Sequence, residues 1–165
     1  MTIALVDDST KDISLLYEYV CRYCNEHKVH MSIKQFTQEK TFFHTLKNEK
    51  YDLVFLDIFM QEQSGMLIAK EVKKLNPKCQ IIFSTSSKDH AVKAFRLHAL
   101  DYLLKPYTYA QLEDSLNRFE DAAARFAHYI DLKEGRCMTR ILITDIIYVD
   151  YHNHYIQVHT DSRVI

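Results

Sequence analysis

Short apolar runs alternate with amphipathic stretches along the first 128 residues of the chain. After Thr10, apolar positions at Ile13, Leu16 and Val20 recur every three to four residues, which is the period of one face of a helix. At Leu53–Leu56, four apolar residues follow one another, a run that is typical of strands covered on both faces. The first part of the chain is therefore predicted to alternate strands with helices.

The alternation continues through five strand–helix units. Predicted strands cover residues 3–6, 31–36, 53–56, 80–84 and 100–104. Predicted helices cover residues 10–28, 38–48, 66–75 and 88–97, and a long fifth helix begins near residue 107. Because right-handed crossovers place helices on both faces, this order predicts an α/β fold with a five-stranded, doubly wound parallel sheet.

Polar pairs mark the starts of two of these helices. Ser9 with Asp12, and Thr108 with Gln111, have the spacing of a capping box. In such a pair the first side chain accepts from a backbone N–H of the first turn, and the second side chain accepts from the N–H of the first residue. The first and fifth helices are therefore predicted to begin close to these pairs.

The pattern changes after residue 128. Residues 129–165 are rich in Ile, Val, Tyr and Thr and lack a helical stripe, which predicts three or four antiparallel strands with turns near Gly135 and Asn153. A β segment of this size is marginal by itself, so we expect an incomplete second domain. The predicted division is residues 1–125 and residues 126–165.

Length, charge and cysteine content narrow the class of protein. The 165 residues carry a formal net charge of −1, so overall charge predicts neither nucleic-acid binding nor membrane binding. No apolar run approaches the ~20 residues of a membrane span, and the first residues lack the pattern of a signal peptide. The four cysteines are therefore expected to be reduced thiols in the cytoplasm.

Polar side chains follow four of the five predicted strands. Ligands of open α/β sheets bind beyond the carboxyl ends of the strands, which meet at one edge. The polar residues at these ends are Asp7 and Asp8 after the first strand, Asp57 after the third, Thr85 after the fourth and Lys105 after the fifth. Three carboxylates, a hydroxyl and an ammonium are therefore predicted to share one rim.

This set of groups predicts phosphoryl chemistry. Three neighbouring carboxylates resist joint ionisation, and a hard divalent cation with oxygen ligands removes the conflict, which favours Mg²⁺. The ammonium of Lys105 adds a second positive charge. Since an aspartate can act as a nucleophile that forms an aspartyl phosphate, the rim is a place where a phosphoryl group could join a carboxylate.

Four ordered motifs carry a resemblance to a known family. They are "LVDDS", "DLVFLDIFM" with Gly65 after it, "IIFSTSS" and "DYLLKP". With these motifs the first 125 residues closely resemble the receiver domain of two-component response regulators, which implies a flavodoxin-like fold. The resemblance implies a protein that is phosphorylated once per transfer, from a sensor histidine kinase or a small phosphodonor, with slow self-dephosphorylation at most. It does not imply a turnover enzyme.

The resemblance assigns the metal and acceptor positions. Asp57 is expected to accept the phosphoryl group from the phosphohistidine of the kinase. Asp8, Asp57 and the backbone carbonyl of Phe59 are expected to bind Mg²⁺, and Asp7 is expected to act through water.

The resemblance also assigns the switch positions. Thr85 and Lys105 are expected to contact the phosphoryl group, and Tyr102 is expected to turn inward when Thr85 moves. A cis peptide bond is expected between Lys105 and Pro106. The face formed by the fourth helix, fifth strand and fifth helix is the expected surface of a homodimer.

Two positions depart from the family pattern. Gln61 stands where the family often has proline, so the loop is expected to be less rigid. Phe59 is bulky and apolar two residues after the acceptor. We expect it to hinder an attacking water and to lengthen the life of the phosphoryl group.

The end of the chain resembles the first third of a LytTR-type (LytR/AgrA family) DNA-binding domain. The residues that carry this resemblance are "TRILITDIIYVDYHNHYIQVHT". It implies that His154, and less directly Asn153, contact DNA; the alternative is a polar hairpin turn. Because acidic and basic residues nearly balance from Tyr129 onward, this chain by itself is expected to bind DNA poorly. The exposed strand edges are expected to pair with a second copy or pack on the receiver domain.

Other functions remain open on the sequence alone. Cys21, Cys24, His27 and His30 have spacings known from zinc sites, but residues three apart on a helix diverge in direction by ~60° per step. "HNHYIQVH" is a second, weaker metal candidate. A phosphatase of the haloacid dehalogenase type would need an acid at position 59. A receiver domain that acts through protein contacts alone is the remaining alternative.

Overall fold

The computed structural model describes most of the chain as two compact units, Met1–Phe119 and Glu120–Ile165. The described residues are 1–60, 64–126, 129–135, 137–152, 155–160 and 164–165. None of the described helices is both long enough and apolar enough to cross a membrane.

The first unit contains a five-stranded parallel sheet in the order β2-β1-β3-β4-β5. The strands are β1 (Thr2–Val6), β2 (Ser32–Phe36), β3 (Leu53–Leu56), β4 (Gln80–Thr85) and β5 (Asp101–Leu104). The strand order reverses after β1, as it does in doubly wound sheets. The predicted fold class is therefore confirmed.

Four helices connect the strands of this sheet, and a fifth follows β5. They are α1 (Thr10–His27), α2 (Glu39–Leu46), α3 (Gly65–Leu75), α4 (Ala91–Arg96) and α5 (Tyr109–Phe126). The fourth helix is six residues long, shorter than predicted. The reason is local: the Ser87 hydroxyl accepts from the backbone N–H of Asp89 at 3.1 Å, and a side-chain bond of this kind competes with helical hydrogen bonds.

The sheet is buried on both faces because successive residues of each strand point to opposite sides. In β3, Val54 and Leu56 pack with α2 and α3 residues such as Phe42 and Ile68. Leu53 and Phe55 pack on the other face, with residues of α1 and α5. All four β3 side chains are fully buried, which accounts for the continuous apolar run in the sequence.

The two predicted helix starts differ in detail. Thr108 and Gln111 form the full reciprocal pair, with N–H to side-chain oxygen distances of 2.9 and 3.4 Å. At α1, Ser9 Oγ accepts from the N–H of Asp12 at 3.3 Å. The N–H of Ser9, however, donates to Asp7 rather than to Asp12.

The second unit contains two antiparallel hairpins, as the alternating pattern predicts. Strands β6 (Tyr129–Glu134) and β7 (Cys137–Leu142) form one, and β8 (Ile146–His152) and β9 (Tyr155–Thr160) form the other. The first hairpin turns at Gly135, whose φ of 61° lies in the left-handed region. The predicted turn residue Asn153 lies outside the described residues.

Candidate functional site

The carboxyl ends of the parallel strands bring the predicted polar residues to one rim. In register, Val6 pairs with Leu56, and Thr85 pairs with Leu104. Val6, Leu56, Thr85 and Leu104 are the last residues of their strands. Asp7, Asp57 and Lys105 follow directly, so these three residues and Thr85 lie at the same edge of the sheet. Their placement follows from strand register alone.

Lys105 is the centre of the site. Its Nζ donates to Asp7 Oδ2 at 2.6 Å, to Asp12 Oδ2 at 2.9 Å and to Asp57 Oδ2 at 3.2 Å. The Lys105 side chain is 14% exposed and that of Asp7 is 2% exposed. An ammonium has three N–H donors, so each of the three carboxylates accepts one of them.

Backbone groups fix the second oxygen of two of these carboxylates. Asp7 Oδ1 accepts from the N–H of Ser9 at 2.9 Å. Asp57 Oδ1 accepts from the N–H of Phe59 at 3.2 Å. Both side chains are therefore oriented from two directions before any ligand arrives.

Three carboxylates at this rim lie close enough together to bind one cation. Asp7, Asp8 and Asp57 each place one oxygen so that these atoms lie within 4.8 Å of one another. Within the described parts of the chain, this is the group of side chains that could hold a metal ion. Its donors are all oxygen, the preference of Mg²⁺, and Lys105 alone does not balance their charge.

Burial and the neighbouring ammonium act in opposite directions on Asp7. Burial raises the pKa of the Asp7 carboxyl, and the hydrogen bond from Lys105 opposes this rise without cancelling it. For Lys105, burial would lower the pKa, but hydrogen bonds to Asp7 and Asp12 and the charge of Asp57 outweigh it, so its pKa is raised. Lys105 is therefore a permanent cation at the rim.

Thr85 and Tyr102 lie where the resemblance implies a switch. Thr85 is fully buried, and its Oγ1 has no hydrogen-bond partner among the described residues. Such a hydroxyl at a rim of charged groups can donate to an anion. The half-buried Tyr102 donates its hydroxyl hydrogen to the carbonyl of Ser87, in the loop after β4, and its ring packs against Phe83.

Gly65 makes the turn behind Asp57 possible. A Cβ at this position would lie 1.9 Å from the carbonyl oxygen of Asp57. The N–H of Gly65 also donates to the carbonyl of Ile58 at 2.9 Å. Only glycine permits the start of α3 to approach the acceptor loop this closely.

Phe59 stands beside the acceptor as the sequence predicts. Its side chain is 50% exposed, and its ring meets the imidazole of His90 edge-on with 5.5 Å between ring centres. The bond between Lys105 and Pro106 is cis, as the resemblance implies. The residue at the other departure, Gln61, lies outside the described residues.

The zinc candidate of the first helix does not form a metal site among the described residues, and the candidate "HNHYIQVH" lies partly outside them. Cys21, Cys24 and His27 lie along the continuous helix α1. The ring of His27 instead stacks on Tyr23, and its Nε2 lies 2.9 Å from Glu113. In the second unit, the predicted DNA contacts His154 and Asn153 lie outside the described residues.

Asp12 is the residue that sequence analysis assigned to a different role. Its spacing from Ser9 indicated a helix cap, but its carboxylate binds Lys105 instead. The available signal was its position, because α1 begins at the rim and first-turn acids of such a helix lie near the strand ends.

A comparison with known families identifies the class of protein. The family model described as "Response regulator receiver domain" matches residues 3–117. The chain belongs to this family, which confirms the resemblance drawn from the four motifs.

Two curated proteins are similar to this chain in sequence. The sensory transduction protein LytT of Bacillus subtilis is 29% identical over 140 residues, which cover 79% of this chain and 58% of LytT. The transcriptional regulatory protein YpdB of Escherichia coli K12 is 39% identical over 77 residues, which cover 47% of this chain and 32% of YpdB. The chain therefore spans little more than half, or less, of the length of these curated relatives.

A solved structure has the same fold. The response regulatory domain of mrkE from Klebsiella pneumoniae is 31% identical, with a TM-score of 0.66. The match covers 76% of this chain and 99% of that domain. The first unit is therefore homologous to receiver domains of two-component transcriptional regulators.

Proposed function

We propose that Asp57 accepts a phosphoryl group from a sensor histidine kinase. The observation that carries the proposal is the position of Lys105, whose ammonium joins Asp57 to Asp7. Phosphoryl transfer depends mainly on positioning and on neutralising charge. Lys105 supplies fixed positive charge at the acceptor, and Thr85 supplies a hydroxyl without a partner among the described residues in the same rim.

Mg²⁺ is the cofactor of this proposal. Asp8, Asp57 and the backbone carbonyl of Phe59 would bind it directly, and Asp7 would bind it through water. The spread of the three carboxylate oxygens fits one ion. When bound, it supplies the charge neutralisation that allows a phosphoryl group to approach three carboxylates. The Asp57 carboxylate then attacks phosphorus, and the bond from phosphorus to the donor breaks.

The output of the phosphorylated protein is proposed to be transcription. YpdB carries the name of a transcriptional regulatory protein and LytT that of a sensory transduction protein. The β-rich second unit resembles the start of a LytTR-type DNA-binding domain. The complete domain would contact DNA, in a cytoplasmic protein. Its phosphorylated form is proposed to be a homodimer through α4, β5 and α5, where Val92 and Phe95 expose apolar side chains. A receiver domain that acts by protein contacts alone is the alternative.

The experiment is phosphorylation by a small-molecule donor such as acetyl phosphate, with Mg²⁺, followed by intact mass. Wild-type protein should gain the mass of one phosphoryl group, once per molecule and without continuous release of phosphate. Asp57→Ala should show no gain, whereas Asp114→Ala, which removes an exposed acid of α5, should match wild type. No gain on wild type, or an equal gain on Asp57→Ala, would overturn the proposal.

A further inference from the structure

Asp12 accepts a hydrogen bond from Lys105 but is not one of the three carboxylates that converge on the cation site. Its carboxylate is 39% exposed and lies 2.9 Å from the ammonium, close to the 2.6 Å of Asp7 and shorter than the 3.2 Å of Asp57. We propose that Asp12 is a positioning residue that competes with the phosphoryl group for Lys105 and so weakens the phosphorylated state. This inference rests on the proposed function of Asp57.

The donor count of the ammonium explains the competition. All three N–H groups of Lys105 are taken by carboxylates. A phosphoryl group on Asp57 can accept the N–H that now points to Asp57, but a second N–H must come from Asp7 or Asp12. The Asp7 carboxylate is buried, whereas the Asp12 carboxylate is partly exposed. The N–H on Asp12 is therefore the one that a phosphoryl oxygen can take. The free energy gained by this transfer is reduced, because the bond from Lys105 to Asp12 is lost.

The start of α1 leaves the Asp12 carboxylate available for this role. In a full capping box it would accept from the N–H of Ser9. That N–H donates to Asp7 Oδ1 instead, at 2.9 Å, while Ser9 still caps the N–H of Asp12. One of the two hydrogen bonds of a capping box is therefore replaced, and the Asp12 carboxylate binds Lys105 instead.

Asp12 acts on the lysine and not on the cation. The carboxylates that converge closely enough for one ion are Asp7, Asp8 and Asp57, within the part of the chain that the structure describes. Replacing Asp12 with its neutral isostere therefore leaves the cation ligands in place. The expected effect is a stronger bond between Lys105 and the bound phosphoryl group.

The test uses beryllofluoride, a phosphoryl analogue, titrated by calorimetry into the protein with saturating Mg²⁺. Asp12→Asn and Asp12→Ala should bind it about threefold to tenfold more tightly than wild type. The control Glu18→Gln, which removes an exposed acid from the same helix, should bind it as wild type does. Equal or weaker binding by both Asp12 variants would overturn the inference.

A second measurement needs neither cation nor ligand. In the metal-free protein, Asp12→Asn should lower the midpoint of urea unfolding, and this loss should shrink in a Lys105→Met background. Equal losses in both backgrounds would also overturn the inference. If wild type binds no beryllofluoride, the proposed function fails and this inference fails with it, whereas binding by wild type without an effect of Asp12 removes only the inference.

Discussion

The ammonium of Lys105 and the carboxylate of Asp7 form the shortest of the three bonds that Lys105 makes, with 2.6 Å between Nζ and Oδ2. The Asp7 side chain is buried, and the Lys105 side chain nearly so. Removal of the ammonium leaves buried carboxylates without a counter-charge, which is costlier than the pair itself is stabilising. Removal of the Asp7 charge differs, because Lys105 keeps Asp12 and Asp57 as acceptors.

Replacing Lys105 with Met should therefore destabilise the metal-free protein by about 3 to 5 kcal/mol at neutral pH. The loss should be smaller in acid, where the freed carboxylates become protonated, and Mg²⁺ should restore part of it. Urea unfolding with and without Mg²⁺ measures both effects. Lys34→Met, which breaks the more exposed pair with Glu49, should cost much less, and an equal cost would contradict the prediction.

Replacing Asp7 with Asn should stabilise the metal-free protein above acidic pH, by on the order of 1 kcal/mol. Burial raises the pKa of the Asp7 carboxyl, so the folded protein disfavours its ionised form. Below the ordinary value of 3.8 the carboxyl is protonated in both states and the advantage of Asn disappears. As pH rises through the folded pKa, the advantage grows and then levels off.

The measurement is the free energy of unfolding of wild type and Asp7→Asn, from below the ordinary pKa of the carboxyl to neutral pH. The same variant should bind Mg²⁺ more weakly, because it removes one of the three carboxylates that surround the ion. A variant that is less stable than wild type at neutral pH would show that the bond to Lys105 outweighs burial.

Replacing Gly65 with Ala should cost at least about 3 kcal/mol of folding stability and weaken Mg²⁺ binding. The new Cβ would lie 1.9 Å from the Asp57 carbonyl, so the acceptor loop or α3 must move. Gly135→Ala is the matched control: it meets no neighbour within 4 Å and only strains a positive φ, at about 1 kcal/mol. Similar losses for the two variants would rule out the close approach as the cause.

Replacing Phe59 with Asn should shorten the half-life of the phosphorylated protein several-fold. The half-exposed ring stands two residues from the acceptor, where we expect it to hinder an attacking water, whereas an amide would hydrogen-bond and orient that water. Loss of phosphate from the isolated phosphorylated protein, followed by mass, gives the half-life. Phe59→Leu, which keeps apolar bulk, should remain close to wild type; an unchanged half-life in the Asn variant would refute the role of the ring.

Most of the first unit could be predicted because local pattern and burial agree there. The run Leu53–Leu56 is apolar since both faces of β3 are covered, and strand register then carries Asp57 to the rim. The ends of α4 were harder to predict, since the side chain of Ser87 competes with helical hydrogen bonds.

The contacts among side chains of the site could not be predicted in the same way. The partner of Asp12 is 93 residues away along the chain, so no local spacing reports it. The unsatisfied hydroxyl of Thr85 is likewise a property of packing. Motifs identified which residues meet, but only the folded structure shows how three carboxylates share the N–H donors of one ammonium.

The excess of acid over base at the rim has a kinetic consequence. Among the described residues, three carboxylates accept from the ammonium of Lys105, those of Asp7, Asp12 and Asp57, and Asp8 lies beside two of them. Because an anionic donor that arrives first would meet net repulsion, we predict ordered binding, with the divalent cation entering before the donor. The apparent affinity for a donor should then rise with cation concentration, and a chelator should act on the first step of signalling.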